Sequence, residues 1–247
     1  MSDDNEQKCI ICRQTFHPYP MGEKNGTILL SCKACGTVMT EPLVTKDELD
    51  AYFASIDPQI THVPDPAREI VDMKNRIMRL GKDATAKGKR IIDVAARQGY
   101  AIKAAHLLGM KPYGIDSHEF FTRFAQEKYP PELFQNISVM EYADASPEKY
   151  DCGIAIEAFC EQPDPDAFVA GLARIIKPGG TMYIEEVDGN NFNLPRNFAN
   201  WSYVDPPLNF LYLSKKGMEA LLARHGFAIQ KMFFTWRPMM RFIAVRR

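Results

Sequence analysis

The sequence predicts an α/β fold, with a mainly parallel sheet covered by helices on both faces and a small metal-held ribbon in front of it. Two observations carry this. From Arg90 onward, strand-forming and helix-forming segments alternate, as in a sheet built from strand–helix–strand crossovers. Ahead of them, Cys9-Ile-Ile-Cys12 and Cys32-Lys-Ala-Cys35 form two Cys-x-x-Cys pairs separated by nineteen residues. A length of 247 residues suits one large domain plus a small module.

Composition narrows the function classes. Lys plus Arg total 30 against 31 for Asp plus Glu, a net charge of −1. A general nucleic-acid binder carries a basic excess, because phosphate contacts supply most of its affinity, so nucleic acid is not the expected partner. Apolar residues make up 46%, too many for an acidic disordered chain. No stretch reaches the roughly 18–20 consecutive apolar residues of a membrane helix. The opening Met1-Ser-Asp-Asp-Asn-Glu is acidic and polar, unlike a signal peptide. A cytoplasmic globular protein is expected.

The two cysteine pairs read as knuckles that converge on one zinc ion, with Cys9, Cys12, Cys32 and Cys35 as ligands. Gly36 follows the second pair, where a knuckle turn favours positive φ. Thr27-Ile-Leu-Leu-Ser leads into that knuckle as a strand. Four thiolates close the shell, so the zinc is structural, since a catalytic zinc keeps a position for water. His17 then reads as a surface residue. Basic and acidic residues alternate in the module, so no basic face stands out, and docking a substrate or covering the main domain is the expected role.

Thr45-Lys-Asp-Glu48 is a capping box that opens a helix with Leu49, Tyr52 and Phe53 on one side. Pro58, Pro64 and Pro66 interrupt regular structure and mark the module boundary. A second helix starts near Pro66, with Ile70, Val71, Met73, Ile77, Met78 and Leu80 as a buried stripe. In the main domain, strands are expected at Arg90–Val94, Lys111–Ile115, Asn136–Met140, Tyr150–Ile156 and Thr181–Val187. Helices fall at about 99–108, 117–128, 165–176 and 214–225. Lys177-Pro-Gly-Gly180 stops the third of these, and Ser214 and Gly226 cap the last. Two strands, about 227–235 and 239–246, finish the chain.

These segments resemble the Rossmann-like S-adenosylmethionine (SAM)-dependent methyltransferases. The resemblance rests on Ile91-Ile-Asp93-Val-Ala-Ala-Arg-Gln-Gly99, on Tyr113-Gly-Ile-Asp116 placed 23 residues after the first acid, on Tyr150-Asp151 and on Ile175-Ile-Lys-Pro-Gly-Gly180. The whole chain is similar to a bacterial subfamily with a two-CxxC ribbon, then Pro42…Glu48-Leu49…Tyr52, then the methyltransferase domain. The C-terminal part resembles that subfamily through Pro207-Leu-Asn-Phe-Leu-Tyr-Leu-Ser-Lys-Lys. The resemblance implies a zinc ribbon over 1–43, a helical connection over 44–82 and a methyltransferase-like domain over 83–247, with an antiparallel last strand. It also implies SAM as cofactor and a small-molecule acceptor, such as a sugar or a glycan or natural-product intermediate.

The cofactor-binding set implied by the resemblance is Asp93, Ala95, Arg97, Gly99, Asp116, Ser117, Asp144 and Glu157. Asp116 would hold the ribose diol, or else cap the next helix. Asp144 or Glu141 would meet the adenine amine. The family's loop is acid-x-Gly-x-Gly-x-Gly, and here Ala95 and Arg97 replace the first two glycines. Glu161-Gln162 stands where Glu-His is common, and Asn209 where many relatives carry His, so no catalytic base is named. An active methyltransferase with an unusual loop and a catalytically silent binding or scaffold protein are the two readings. A protein partner or a homo-oligomer stays open. Trp201-Ser-Tyr203 and Phe210-Leu-Tyr212 form either an acceptor lid or a packed cover. Glu185 and Glu186 share a strand, and alternation leaves open which one faces the site. Cys152 and Cys160 read as small buried hydrophobes, and Arg237, Arg241, Arg246 and Arg247 as a solvated face.

Overall fold

The computed structural model describes residues 7–55, 65–146 and 149–247. Pro58 and Pro64, read as breakers, lie outside the described residues. The main body is a seven-stranded sheet made of β4 (Arg90–Asp93), β5 (Lys111–Asp116), β6 (Phe134–Asn136), β7 (Tyr150–Ile156), β8 (Ile176–Val187), β10 (Phe227–Phe233) and β11 (Met239–Arg246). Their order across the sheet is β10-β11-β8-β7-β4-β5-β6. β4, β5, β6, β7 and β8 pair in parallel, and β11 is antiparallel to both β8 and β10.

The strands bury both faces, and neighbouring residues alternate between two cores. Ile91, Cys152, Ile154, Tyr183 and Ile243 join one apolar cluster; Ile92, Ala155, Met182, Ile184 and Phe242 join the other. The first cluster is covered by α2 (Pro66–Met78) and α3 (Tyr100–Leu107) through Ile77, Ala101, Ala104 and Ala105. The second is covered by α5 (Val139–Ala145), α6 (Pro165–Ile175) and α7 (Lys215–Arg224). Period-2 alternation in a doubly covered sheet is what its mostly apolar strands require.

Three local expectations change. The strand expected over Asn136–Met140 lies earlier, at Phe134–Asn136, and Val139–Ala145 is helical. Ser138 and Glu141 close a capping box there, which satisfies helix-start N–H groups and outweighs the short β-prone run. β8 begins at Ile176, because that residue already pairs with Tyr150 before Lys177-Pro-Gly-Gly180 bulges out. On α2, Ile77 is buried and Ile70 and Met73 are packed, but Val71 and Met78 are exposed, so the stripe is narrower than read.

In the N-terminal module, β1 (Pro18–Lys24), β2 (Thr27–Cys32) and β3 (Val38–Glu41) form an antiparallel sheet. A fourth strand, β9 (Leu211–Tyr212), comes from the far end of the chain and pairs with β3. Leu29 and Val38 of the module pack with Phe198, Trp201, Val204 and Tyr212. The aromatic segment 198–212 is thus largely a packed cover between ribbon and sheet. Gly217, in the first turn of α7, has no room for a Cβ against the Thr37 hydroxyl, so glycine is what lets this helix approach the ribbon. α1 (Lys46–Ser55) then leads from the ribbon to the sheet, opened by the predicted Thr45–Glu48 box.

Candidate functional site

In an open α/β sheet the crevice lies at the carboxyl ends of the strands. Here β4 ends on Asp93, which is buried and whose Oδ1 accepts the Ala95 N–H at 3.1 Å. Burial pushes its carboxyl up to about 7; the Ala95 bond and the Arg97 charge only partly offset this. An acid whose folded-state value is raised loses stability as pH climbs above its unfolded value, the full loss being reached above about 7. Asp93→Asn keeps an acceptor for Ala95 and removes the charge. Its stability should exceed that of the parent at pH 8, by at most about 4 kcal/mol, and match it near pH 4. Urea titrations at the two pH values check this, and an equal difference at both would contradict it.

β5 ends on Asp116, which ties three segments together. Its Oδ2 accepts the Arg97 N–H and its Oδ1 the His118 N–H, each at 2.9 Å. Its backbone oxygen accepts from Asn136 Nδ2 at 2.9 Å, which joins the end of β6. Burial raises this carboxyl too, against the charges of Arg97 and His118.

Arg97 has φ +41, a left-handed conformation that non-glycine residues hold only when the surroundings fix it. Its guanidinium crosses to the end of β7. There Nη2 donates to Glu161 Oε1 at 2.6 Å and to the Glu157 backbone oxygen at 3.3 Å, and the group lies 5.0 Å over the Phe121 ring. Burial works against the Glu161 charge, yet Arg97 and His118 hold its carboxyl below the usual range. Burial likewise opposes the Arg97 charge, which Glu161 and Asp116 more than restore. Glu157, with φ +49, sits beside this pair, and burial raises its carboxyl.

Next to the pair lie two adjoining cavities of ≈ 580 and ≈ 270 Å³, both bordered by Lys46, Asp50, Ser117 and His118. α1 forms one wall. The starts of α4 (Glu119–Lys128), α5 and α6 form the rest, through Phe120, Ser138, Val139 and Ala167. The His118 ring stacks on Phe53 at 3.7 Å, its Nε2 is 3.6 Å from Glu161, and its buried Nδ1 has no hydrogen-bond partner among the described residues. Together the cavities fall within the size range of small-molecule sites.

Of the residues singled out by sequence, Asp93, Ala95, Arg97, Asp116 and Glu157 come together at the strand ends, and Ser117 borders the cavity. Gly99 has φ +79 and starts α3, and a Cβ there would press on the Tyr129 and Phe134 rings at 2.9 Å. Asp144 does not join the group: its side chain is 64% exposed and pairs with Arg174 across α5 and α6. Glu141 is taken up by its capping box. Glu185 and Glu186 are both buried, on opposite faces of β8. Glu185 pairs with Arg76 and Arg241, so Arg241 is no solvated residue; Glu186 accepts the Phe159, Cys160 and Val187 N–H groups. Sequence reading missed His118 and the role of Glu161. Cys152 and Cys160 are buried, as expected.

The four ribbon cysteines form a second site. Their sulfurs all lie within 4.8 Å of one another, with Cys9–Cys35 and Cys12–Cys32 separations of 3.9 Å. A tetrahedron with Zn–S bonds of about 2.3 Å has edges of about 3.8 Å, so the sulfurs are spaced for such an ion. His17 is exposed, outside the cluster.

A family model described as a methyltransferase domain matches residues 62–231. Among curated proteins, the ubiquinone biosynthesis O-methyltransferase of Thiobacillus denitrificans is 30% identical over 111 residues, 43% of this chain and 48% of that protein. The protein of that name from Pseudomonas syringae pv. tomato is 27% identical over 119 residues, 47% and 51% of the two chains. The chain thus spans about half the length of these relatives. Among solved structures, the magnesium protoporphyrin IX methyltransferase of Synechocystis PCC 6803 with bound S-adenosylhomocysteine (SAH) superposes with TM-score 0.63 at 17% identity, covering 82% of this chain and 100% of the other. The 1,6-didemethyltoxoflavin-N1-methyltransferase of Burkholderia thailandensis gives 0.61 at 16% identity, covering 92% and 98%. At such identities these structures speak for the fold alone.

Proposed function

We propose, because this chain belongs to the methyltransferase domain family, that it transfers a methyl group from SAM to a small hydroxylated molecule. That class includes sugars and glycan or natural-product intermediates, as well as substrates of the kind the O-methyltransferase relatives are named for. The observation that carries the reading is the cleft itself. A buried carboxylate, Asp116, stands at the end of the second strand, directly before Ser117 and His118, which border a cavity large enough for a nucleoside. The His118 Nδ1, without a hydrogen-bond partner among the described residues, offers a hydrogen bond to a polar group there. Ser117, His118 and Asn136 would surround the nucleoside, with Asp116 behind them. When bound, the cofactor supplies an electrophilic methyl group on a sulfonium. The chain's own contribution is placement: α1, stacked on His118 through Phe53, forms one wall of the cleft in which donor and acceptor would be brought together.

We also read the four thiolates as holding one structural zinc. A second functional reading, a silent binding or scaffold protein, is favoured by the Arg97–Glu161 pair, which occupies the junction of β4 and β7. Calorimetric titration separates the two. SAH is expected to bind the full chain in the micromolar range and to lose that affinity in Ser117→Trp, which fills the exposed cavity wall. Heat-silent titrations at millimolar SAM and SAH would sink the enzyme reading in favour of the scaffold.

A further inference from the structure

We infer that the rim of the sheet formed by the loops after β8 and β10 docks on an anionic lipid surface, through the rings of Phe192, Phe234 and Trp236 and the cations around them. The inference goes beyond the methyltransferase reading and does not depend on it.

These three rings are the most exposed large apolar side chains among the described residues, at 74%, 73% and 74%. They sit on two neighbouring loops. Residues 188–197 follow the carboxyl end of β8, and residues 234–238 join β10 to β11. Because Met239 pairs with Val187, both loops lie at the sheet end that carries the cleft. Asn193 Nδ2 donates to the Trp236 backbone oxygen at 2.8 Å, and the Asp188 N–H to that of Pro238 at 3.0 Å. The Phe234 and Trp236 rings meet edge to face at 5.1 Å. The two loops are therefore tied to one another. Phe198 and Trp201, just beyond the first loop, are buried in the aromatic cover, so the exposed rings are not part of that packing. Solvent-facing aromatic patches of this kind mark interaction sites.

Charge and area decide what covers the patch. Residues 189–204 and 226–247 contain no Asp or Glu, although the whole chain has a net charge of −1. Within these stretches Arg196, Lys231 and Arg237 are exposed. Asp188, the acid at the base of the first loop, is buried and lies 3.6 Å from Lys215 Nζ. Aromatic rings flanked by cations suit the headgroup level of an anionic bilayer, where rings enter the interface and cations stay with the phosphates. Three such rings present roughly 300–550 Å². A stable protein interface takes about 800 Å² from each partner, whereas a bilayer asks for no matching shape. The Tyr203 phenol interacts electrostatically with Glu157 at the end of β7 and with Arg237, so the patch adjoins the cleft. On the methyltransferase reading, docking in this orientation favours an amphiphilic acceptor.

Vesicle sedimentation of the full chain provides the test, read together with tryptophan emission. Of the two tryptophans Trp201 is buried, so a lipid-dependent blue shift reports Trp236. The parent is expected to bind phosphatidylcholine vesicles containing about one third phosphatidylserine, with a blue shift, and pure phosphatidylcholine at least about tenfold more weakly. Arg196→Gln with Arg237→Gln should weaken binding by about thirtyfold. The triple variant Phe192→Ser, Phe234→Ser, Trp236→Ser should lose it while keeping the parent's melting temperature and SAH affinity, because its rings touch neither core nor cleft. A parent that stays in the supernatant with the anionic vesicles overturns the inference. So does a triple variant that binds as the parent does, or a parent that ignores vesicles but binds a single-stranded oligonucleotide through the same residues. The methyltransferase reading stands in each of these cases, since SAH titration tests it separately.

Discussion

Glu161→Ala is expected to destabilise the chain by about 3 kcal/mol, among the largest effects of any single change at the cleft. Glu161 is 6% exposed and gives Arg97 its 2.6 Å partner. Removing it takes away the guanidinium's carboxylate hydrogen bond and leaves a mostly buried cation with a carbonyl at 3.3 Å, the Phe121 ring and the charge of Asp116, which binds only the Arg97 backbone. Breaking one member of a buried pair costs about 3–5 kcal/mol, more than the pair contributes against a hydrophobic replacement. The Arg97 side chain retains 24% exposure, which lets water reach it and places the figure at the low end. Arg97→Met combined with Glu161→Ala should therefore recover much of the loss, and the double-mutant cycle reads the coupling directly. Because Arg97 and His118 hold the Glu161 carboxyl low, its contribution is present above the unfolded carboxylate value and fades as pH falls through the lower folded one. The gap between parent and Glu161→Ala should narrow in acid. A loss under about 0.5 kcal/mol at pH 7 in urea titrations would mean that the pair is solvent-screened.

What sequence made legible was local. The Thr45 and Ser214 caps, the Cys-x-x-Cys knuckles with positive φ at Gly36, and the acids closing β4 and β5 each lie within a few residues of their cause. What it hid depended on distant partners. Arg97 was visible as the wrong residue for a glycine loop, but its seat is made by Glu161, 64 positions away. His118 gave no signal, because its stacking partner Phe53 arrives from a helix before the domain. The helix over Val139–Ala145 could have been found, since Ser138 and Glu141 carry the same capping spacing that identified α1. β9 could not: two residues are too short for a strand pattern, and only pairing with Val38 and Met39 makes them one. Asp144 looked suitable for a ligand by type and order alone, and helix geometry gave it to Arg174.

Loss of the metal should undo more than the ribbon. Cys35 carries one of the four clustered sulfurs on its side chain and an acceptor on its backbone, and the Ser214 hydroxyl donates to that backbone oxygen. The same hydroxyl accepts the Gly217 N–H and so caps α7. Lys216 Nζ reaches the Ala34 carbonyl at 2.7 Å, Arg224 Nη1 the Ile11 carbonyl at 2.9 Å, and Thr40 N–H the Phe210 oxygen at 3.0 Å. Both knuckles are therefore tied to α7, and β3, just after the second knuckle, is tied to Phe210 and β9, so repulsion among four thiolates without an ion would act on all of them. Metal binding of this kind contributes folding free energy outright. One zinc per chain is expected by elemental analysis. Chelation, or Cys35→Ser, should lower the melting temperature by about 10 °C or more, the shift that several kcal/mol gives in a chain of this size. Hydrogen exchange distinguishes local from coupled loss: amides over 32–41, Leu211 and Tyr212 should lose protection together, while those of β4 and β7 keep theirs. Loss confined to the knuckles, with Leu211 and Tyr212 still protected, would show that β9 is held by the aromatic cover of Phe198 and Trp201 and that the metal serves the ribbon alone.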